Sequence, residues 1–198
     1  WKSAKLVYYR FSKSIKGVGD MATKKHTNNG MLALALARIS LGLIFLWAFF
    51  DKLLGLGFAT CRDAKTDVVT QMCQKAWIEG GSPTVGFLKF ATKGPLAEFY
   101  QGLAGNNLID WLFMSGLLLI GSALILGIGM KIATLTGSLL LIMMWSASLL
   151  PDNNPILDDH IVYVFILLAL GATNTQQVLG LRAWWVKQDI VKKYPILE

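Results

Sequence analysis

Apolar and polar positions fall in long blocks along this chain, and four blocks are nearly free of charge. Met31–Phe50 carries only Arg38 and Ser40 as polar interruptions. Trp111–Ile128 is apolar apart from Ser115, Ser122 and glycines, and Ile132–Leu150 forms a third run. Ile161–Ala172 starts a shorter fourth. A membrane span needs about 20 residues at a rise of about 1.5 Å each, so the fourth run must extend into its flanks, from Asp159 to Gln177. A soluble core helix of such length needs a polar face, and these runs lack one. The pattern predicts an all-α membrane protein: a four-transmembrane-helix bundle with a long extracytoplasmic loop and amphipathic terminal helices. Its parts are a basic amphipathic N-terminal segment (1–30), a transmembrane domain (31–177, outer loop 54–110) and a basic interfacial tail (178–198).

Composition agrees, with 54% hydrophobic residues in 198 and a mean hydropathy of +0.50. Charge then orients the spans. Residues 1–30 hold Lys2, Lys5, Arg10, Lys13, Lys16, Lys24 and Lys25 against Asp20. Lys131 lies between the second and third runs, and Arg182, Lys187, Lys192 and Lys193 follow the fourth. Four crossings place all of these on one side, which the positive-inside tendency makes cytoplasmic. Both termini are then cytoplasmic and the chain is a multi-pass protein of the plasma membrane. The net charge of +7 is therefore a membrane signal, directed at anionic lipids of the inner face, and not a sign of nucleic acid. Ala4, Tyr8, Phe11, Ile15 and Val18 recur at helical spacing in the N-terminal segment, as an interfacial helix requires. Trp184 and Trp185 suit headgroup depth in the tail. Solvated basic tails are the competing reading. The chain begins with Trp rather than Met, which leaves its native start upstream, and no cleavable signal peptide is visible.

The outer loop contains Cys61 and Cys73, the only cysteines of the chain. An even count on an oxidising side reads as a structural disulfide. A redox-active pair is the alternative, but the spacing is not CxxC. The rest of the loop alternates short amphipathic pieces with glycine and proline, as in a lid over a site or a surface for a partner.

Polar residues within or beside the spans are candidates for function. Arg38 lies about 10 Å into the first run and needs a partner, for which Asn174 and Gln176 have a compatible depth; snorkelling is the alternative. Asp51 and Lys52 close the first span at its outer end. Asp152, Asn153, Asn154, Asp158, Asp159 and His160 crowd the outer junction of the third and fourth. Neighbouring first and fourth helices would bring Asp51, Lys52, Asp159 and His160 into one cluster, with Tyr163 one turn below His160 and Trp145 as an aromatic wall. Turn formation by Asn153–Asn154–Pro155 and helix capping by Asp158 or Asp159 explain part of this crowding. Lys52 and His160 are not explained by it. They suit a bound anion or a quinone ring, since both donate to oxygen and His160 exchanges protons near neutral pH. The sequence has no metal or nucleotide motif, and its two histidines do not provide a bis-histidine haem site at membrane depth.

ARISLGLIFLWAFFDKLLGLG, LLLIGSALILGIGMKIATLTGSLLLIMMWSA and PDNNPILDDHIVYVFILLAL together resemble the DoxX/DoxD family of four-helix membrane proteins, over Leu34 to Leu181. The resemblance implies the membrane subunit of a quinone-linked oxidoreductase of the thiosulfate:quinone type, with quinone as cofactor and thiosulfate oxidised to tetrathionate outside. Mapped onto this sequence, it singles out Arg38, Asp51, Lys52, Asn154, Asp159 and His160. Lys52 and His160 would bind the anion or a quinone oxygen, Asp159 would orient His160, and Arg38 would hold the bundle or a lipid headgroup. The long insertion with Cys61 and Cys73 departs from a minimal member. A non-catalytic assembly subunit, bound to a partner subunit or to further copies of itself, is the alternative, and a small transporter ranks below both.

Overall fold

The computed structural model describes residues 29–63, 65–151, 154, 156–173 and 178–198. The basic N-terminal segment, Asp152, Asn153, Asn174 and Gln176 lie outside them. Among the described residues there are helices and no strand beyond isolated bridges, Arg62 to Val69 and Lys93 to Ser148. Three helices are long and apolar enough to cross a membrane: α1 (Asn29–Leu54), α4 (Asn107–Leu126) and α5 (Met130–Ala147). Between α1 and α4 lie two short helices, α2 (Val85–Phe90) and α3 (Ala97–Gly102). The fourth run forms α6 (Asp159–Ala172), of 14 residues. That is about 21 Å of helix, less than the hydrocarbon layer, and it stops before the expected Gln177 because Thr173 turns extended at ψ 159°.

α1, α4, α5 and α6 share one core. Phe45 and Phe49 of α1 pack with Met114 and Leu117 of α4, Leu141 of α5, and Val164 and Leu167 of α6. Only 33%, 33% and 39% of the span windows of α1, α4 and α5 are buried, yet the remaining positions are also apolar. Leu43, Trp47, Leu119, Leu135 and Phe165 are among the large side chains left exposed. An outer surface this apolar is matched by lipid, not by water. α1 and α4 cross closely at two glycines: a Cβ on Gly42 would stand 3.0 Å from the Gly121 carbonyl and 2.7 Å from Ile125 Cγ1. Small residues, Gly42 and Gly121, therefore set the crossing, as in other membrane helix pairs.

The turn joining α4 to α5 shows how the bundle satisfies its backbone. The last four carbonyls of a helix have no partner inside it. Here Ala123 O accepts from Gly127 N at 2.8 Å and Ile128 N at 3.2 Å, and Leu126 O accepts from Leu181 N at 2.8 Å. The two between them are met by Arg38. Its Nη1 donates to Leu124 O at 2.7 Å and Ile125 O at 3.4 Å, while Nη2 donates to Val178 O at 3.1 Å and Leu179 O at 3.0 Å. The side chain is 0% exposed, so it does not snorkel. It bonds carbonyls of α4 and of the chain beyond α6. The cation also lies at the negative end of the α4 dipole.

The tail folds onto the same turn as α7 (Arg182–Trp185) and α8 (Asp189–Lys193). Lys131 donates to Pro195 O at 3.0 Å, and Trp185 Nε1 donates to Leu197 O at 2.6 Å. Glu198 pairs with Lys131 at 3.5 Å and Arg182 at 3.6 Å. Trp184 is exposed beside it. Instead of one amphipathic helix, this segment makes short pieces pinned to the bundle. We predict that Arg38→Leu lowers stability by about 3 kcal/mol or more, because it leaves buried carbonyls unpaired. Arg38→Lys should cost less, since its point charge reaches only part of the fork's acceptors. Thermal unfolding in detergent, followed by tryptophan fluorescence, checks the order; a silent Arg38→Leu would contradict it.

Candidate functional site

At the opposite end of the bundle the long loop folds over α1 and returns to α4. α1 stops where Gly55 takes φ 64° and donates to Asp51 O at 2.8 Å. Glycine is needed twice over here. Its conformation is left-handed, and a Cβ would collide with Cys61 Sγ. Asp51, 1% exposed, accepts from the N–H groups of Phe58 at 3.0 Å and Ala59 at 2.9 Å, which turns the chain back over the helix end. Cys61 and Cys73 form a disulfide with Cα atoms 5.7 Å apart. Arg62 donates through Nε to Gly57 O at 2.7 Å and pairs with Asp67 at 2.8 Å. Within this loop the backbone N–H groups of Thr66 and Lys65 hold the exposed Asp63 carboxyl below the usual carboxylate range.

The second half of the loop is anchored separately. Asp110, buried in the first turn of α4, accepts from Thr84 Oγ1 at 2.5 Å and Ser82 Oγ at 2.9 Å. Tyr100 of α3 shares a 2.6 Å hydrogen bond with Ser146 of α5, and Lys93 N donates to Ala147 O at 3.0 Å. Leu88, Tyr100 and Ala147 form a small core of their own. The loop is thus a cap bonded to the ends of α1, α4 and α5.

α6 enters beneath this cap. Asp158 is its N-cap and accepts from the N–H groups of His160 at 3.0 Å and Ile161 at 3.3 Å. The other carboxylate oxygen lies 2.7 Å from His160 Nδ1, which leaves Nε2 as the nitrogen available to a ligand. Between cap and bundle is a cavity of about 810 Å³ lined by His160, Tyr163 and Lys52. Leu41, Phe45, Ala48, Leu117 and Leu141 form its apolar floor, and Phe113 and Phe87 stand at the side. Cys61, Arg62, Gln74, Lys75 and Ser82 belong to the cap wall. Lys52 makes no hydrogen bond or salt bridge to another described residue, and its Nζ lies 6.0 Å from the centre of the Phe113 ring. No carboxylate is among the described lining residues. The result is a cationic, donor-rich wall above an apolar floor, of a size suited to one organic ligand.

Of the residues singled out from sequence, Lys52, His160 and Tyr163 come together in this cavity, and Cys61 joins them. The others do not. Arg38 is at the far end with Nη1 and Nη2 both engaged, and Asp51 is spent on the loop backbone. Asp159 does not orient His160; the residue before it does, because the N-cap position points its carboxylate back at the first turn. Asn154 Oδ1 closes a turn by accepting from Ile156 N at 2.9 Å and Leu157 N at 3.0 Å. Trp145 is no wall of the cavity, since its Nε1 donates to Ile156 O at 2.8 Å and Phe113 takes the aromatic place. Sequence reasoning missed Phe113, Arg62, Gln74, Lys75 and Ser82. The one available signal was that Arg62 and Lys75 follow closely on cysteines already expected to pair.

No family model, curated protein or solved structure matches this chain. Among the described residues no group of His, Cys, Asp or Glu is placed to hold a metal ion. The chemistry available in the cavity is donation to oxygen by Lys52, His160 and Tyr163, and proton exchange at His160. We predict that Asp158→Ala, which removes the cap and the carboxylate behind His160 together, costs about 1 kcal/mol. Asp158→Asn keeps an acceptor for the cap and should cost clearly less. Thermal unfolding of the two variants tests this, and equal losses would show that the cap contributes nothing.

Proposed function

We propose that this chain is the membrane subunit of a quinone-linked oxidoreductase, with the cavity beneath the cap as its quinone site. The observation that carries the reading is the convergence of Lys52, His160 and Tyr163 on an apolar-floored cavity at one end of a bundle with a lipid-compatible surface. The cavity fits the group: a quinone has a flat apolar ring with carbonyl oxygens at opposite edges. Lys52 and His160 Nε2 would donate to an oxygen, Tyr163 would offer a further hydroxyl, and Phe113 and Phe45 would flank the ring. A bound quinone would supply two-electron chemistry that Lys52, His160 and Tyr163 do not provide.

In this reading α6 and its flanks complete a fourth span, and the chain is a plasma-membrane protein with both termini cytoplasmic. The cap and its disulfide then face the oxidising side, consistent with the basic residues Lys131, Arg182 and Lys187 clustering at the other end. The resemblance to the DoxX/DoxD family points to thiosulfate as the reductant, and the cationic wall suits an anion. A second reading, an assembly subunit without turnover, is favoured by the exposed aromatic residues of the cap. Phe90 is 77% and Phe99 62% exposed, more than a cap facing only water needs.

The test is thiosulfate-dependent reduction of a short-chain quinone by the gently solubilised protein, with copurifying chains identified. His160→Ala and Lys52→Ala are each expected to lower the rate by about 100-fold while the protein remains folded in the membrane. Full activity in both variants ends the oxidoreductase reading. No turnover together with a stoichiometric partner moves the chain to the assembly class.

A further inference from the structure

A quinone in the cavity needs an electron donor within reach. Cys61 lines the same cavity as Lys52 and His160. Each cysteine is followed by cations of the cavity wall, Arg62 directly after Cys61 and Lys75 two residues after Cys73. Cys73 Sγ also accepts the backbone N–H of Lys75 at 3.4 Å. A hydrogen bond and a nearby cation both favour a thiolate over a thiol. Cys73 is therefore the better leaving group of the two, and Cys61, 7% exposed, is the cysteine that lines the cavity. Cys61 and Met72, at the two ends of the crosslinked loop, hold φ of 66° and 52°. Side-chain-bearing residues keep such angles only when their surroundings over-determine them, and the crosslink is one of those constraints.

We propose that the Cys61–Cys73 disulfide is a redox centre of the cavity, taking electrons from an anionic thiol and delivering them to the quinone. This rests on the quinone site proposed above and names a substrate class for it. A thiolate RS⁻ attacks Cys61 Sγ, forming Cys61–S–S–R and breaking the Cys61–Cys73 bond, and Cys73 leaves as a thiolate held by the Lys75 N–H. A second RS⁻ attacks the R sulfur of the mixed disulfide, releasing RSSR and the Cys61 thiolate. The two cysteine thiolates then close to the disulfide, giving two electrons to the quinone while solvent supplies two protons. The sum is 2 RS⁻ + quinone + 2 H⁺ → RSSR + quinol. Lys52, Arg62 and Lys75 attract the anionic thiol, and His160 relays a proton to the quinone oxygen.

The test uses the purified full chain with reduced glutathione and a short-chain benzoquinone under nitrogen. Quinol and glutathione disulfide are measured together, and quinone binding is measured separately by quenching of tryptophan fluorescence. The expected result is equal yields of quinol and glutathione disulfide, lost in Cys61→Ser and Cys73→Ser. Wild-type protein that is reduced and then blocked with iodoacetamide should lose turnover as well, which guards against a folding defect in the serine variants. Cys73→Ser given glutathione disulfide should keep glutathione on Cys61 by mass spectrometry, because the Cys61 thiolate displaces one glutathione thiolate and no Cys73 thiolate remains to displace the other. Turnover that persists in the Cys61→Ser/Cys73→Ser double variant overturns the proposal. So does a quinone that binds in a Lys52-dependent way but stays oxidised in the presence of the reduced protein; that outcome leaves the quinone site standing. Absence of quinone binding overturns both.

Discussion

The bundle depends on a single guanidinium. Arg38 brings one cation into a region where unpaired backbone carbonyls cannot turn to water, and it answers four of them. Two belong to the last turn of α4 and two to the chain after α6, so three parts of the molecule are fastened at one point. The cost of burying the charge is offset by acceptors that would otherwise carry their own desolvation cost. With Gly42 and Gly121 drawing α1 and α4 together nearby, the turn end of the molecule is closed. Space for a ligand is then left to the other end, where the loop and not a helix crossing decides the spacing.

That end divides its charges by role. Asp51, Asp110 and Asp158 each use carboxylate oxygens on the cap or the helix it covers: on backbone N–H groups, on hydroxyls of Ser82 and Thr84, and on the His160 ring. The acids act as fasteners behind the wall. The cations Lys52 and Lys75 remain in the wall itself, with Arg62 shared between Asp67 and the lining. A cavity built this way favours negative charge or electron-rich oxygen beside its cationic wall.

Long features of the sequence were legible because they repeat a physical requirement over many residues. Twenty apolar positions without a polar face specify a membrane helix whatever their order, so α1, α4 and α5 were readable to within a few residues. α6 was readable as an element but not in length, since its far end depends on where Thr173 leaves the helix. Lys52 and His160 were legible as cavity candidates because charge at an interface is costly and rare, and Tyr163 followed from its place one turn below His160. Asp51, Arg38 and Asn154 carried the same signal for a different reason, since backbone groups also need partners in low dielectric. Sequence position cannot separate a side chain that serves a ligand from one that serves a carbonyl. The cap was the least legible part: Arg62, Gln74 and Lys75 reach the cavity only because a disulfide, a left-handed Gly55 and the Asp51 carboxylate fold the loop back.

The two fastenings of the cap have different consequences. The part from Ser82 onward is tied by Asp110, Tyr100 and Lys93 to helix ends by hydrogen bonds and a small apolar core, which hold it regardless of redox state. The part from Phe58 to Lys75 has exposed apolar residues such as Phe58, Val68 and Met72 and little core. The Asp51 bonds hold one end of it; at the far end Met72 N donates to Leu54 O at 3.2 Å and Gly55 O at 3.3 Å, and the crosslink ties Cys73 to Cys61. Opening the crosslink removes one of the two ties at that end of the section carrying Arg62, Gln74 and Lys75, and touches none that holds the floor, Lys52 or His160. A reduced Cys61–Cys73 pair would then leave the outer wall less closed than the crosslinked one, without moving the floor or the donors Lys52 and His160.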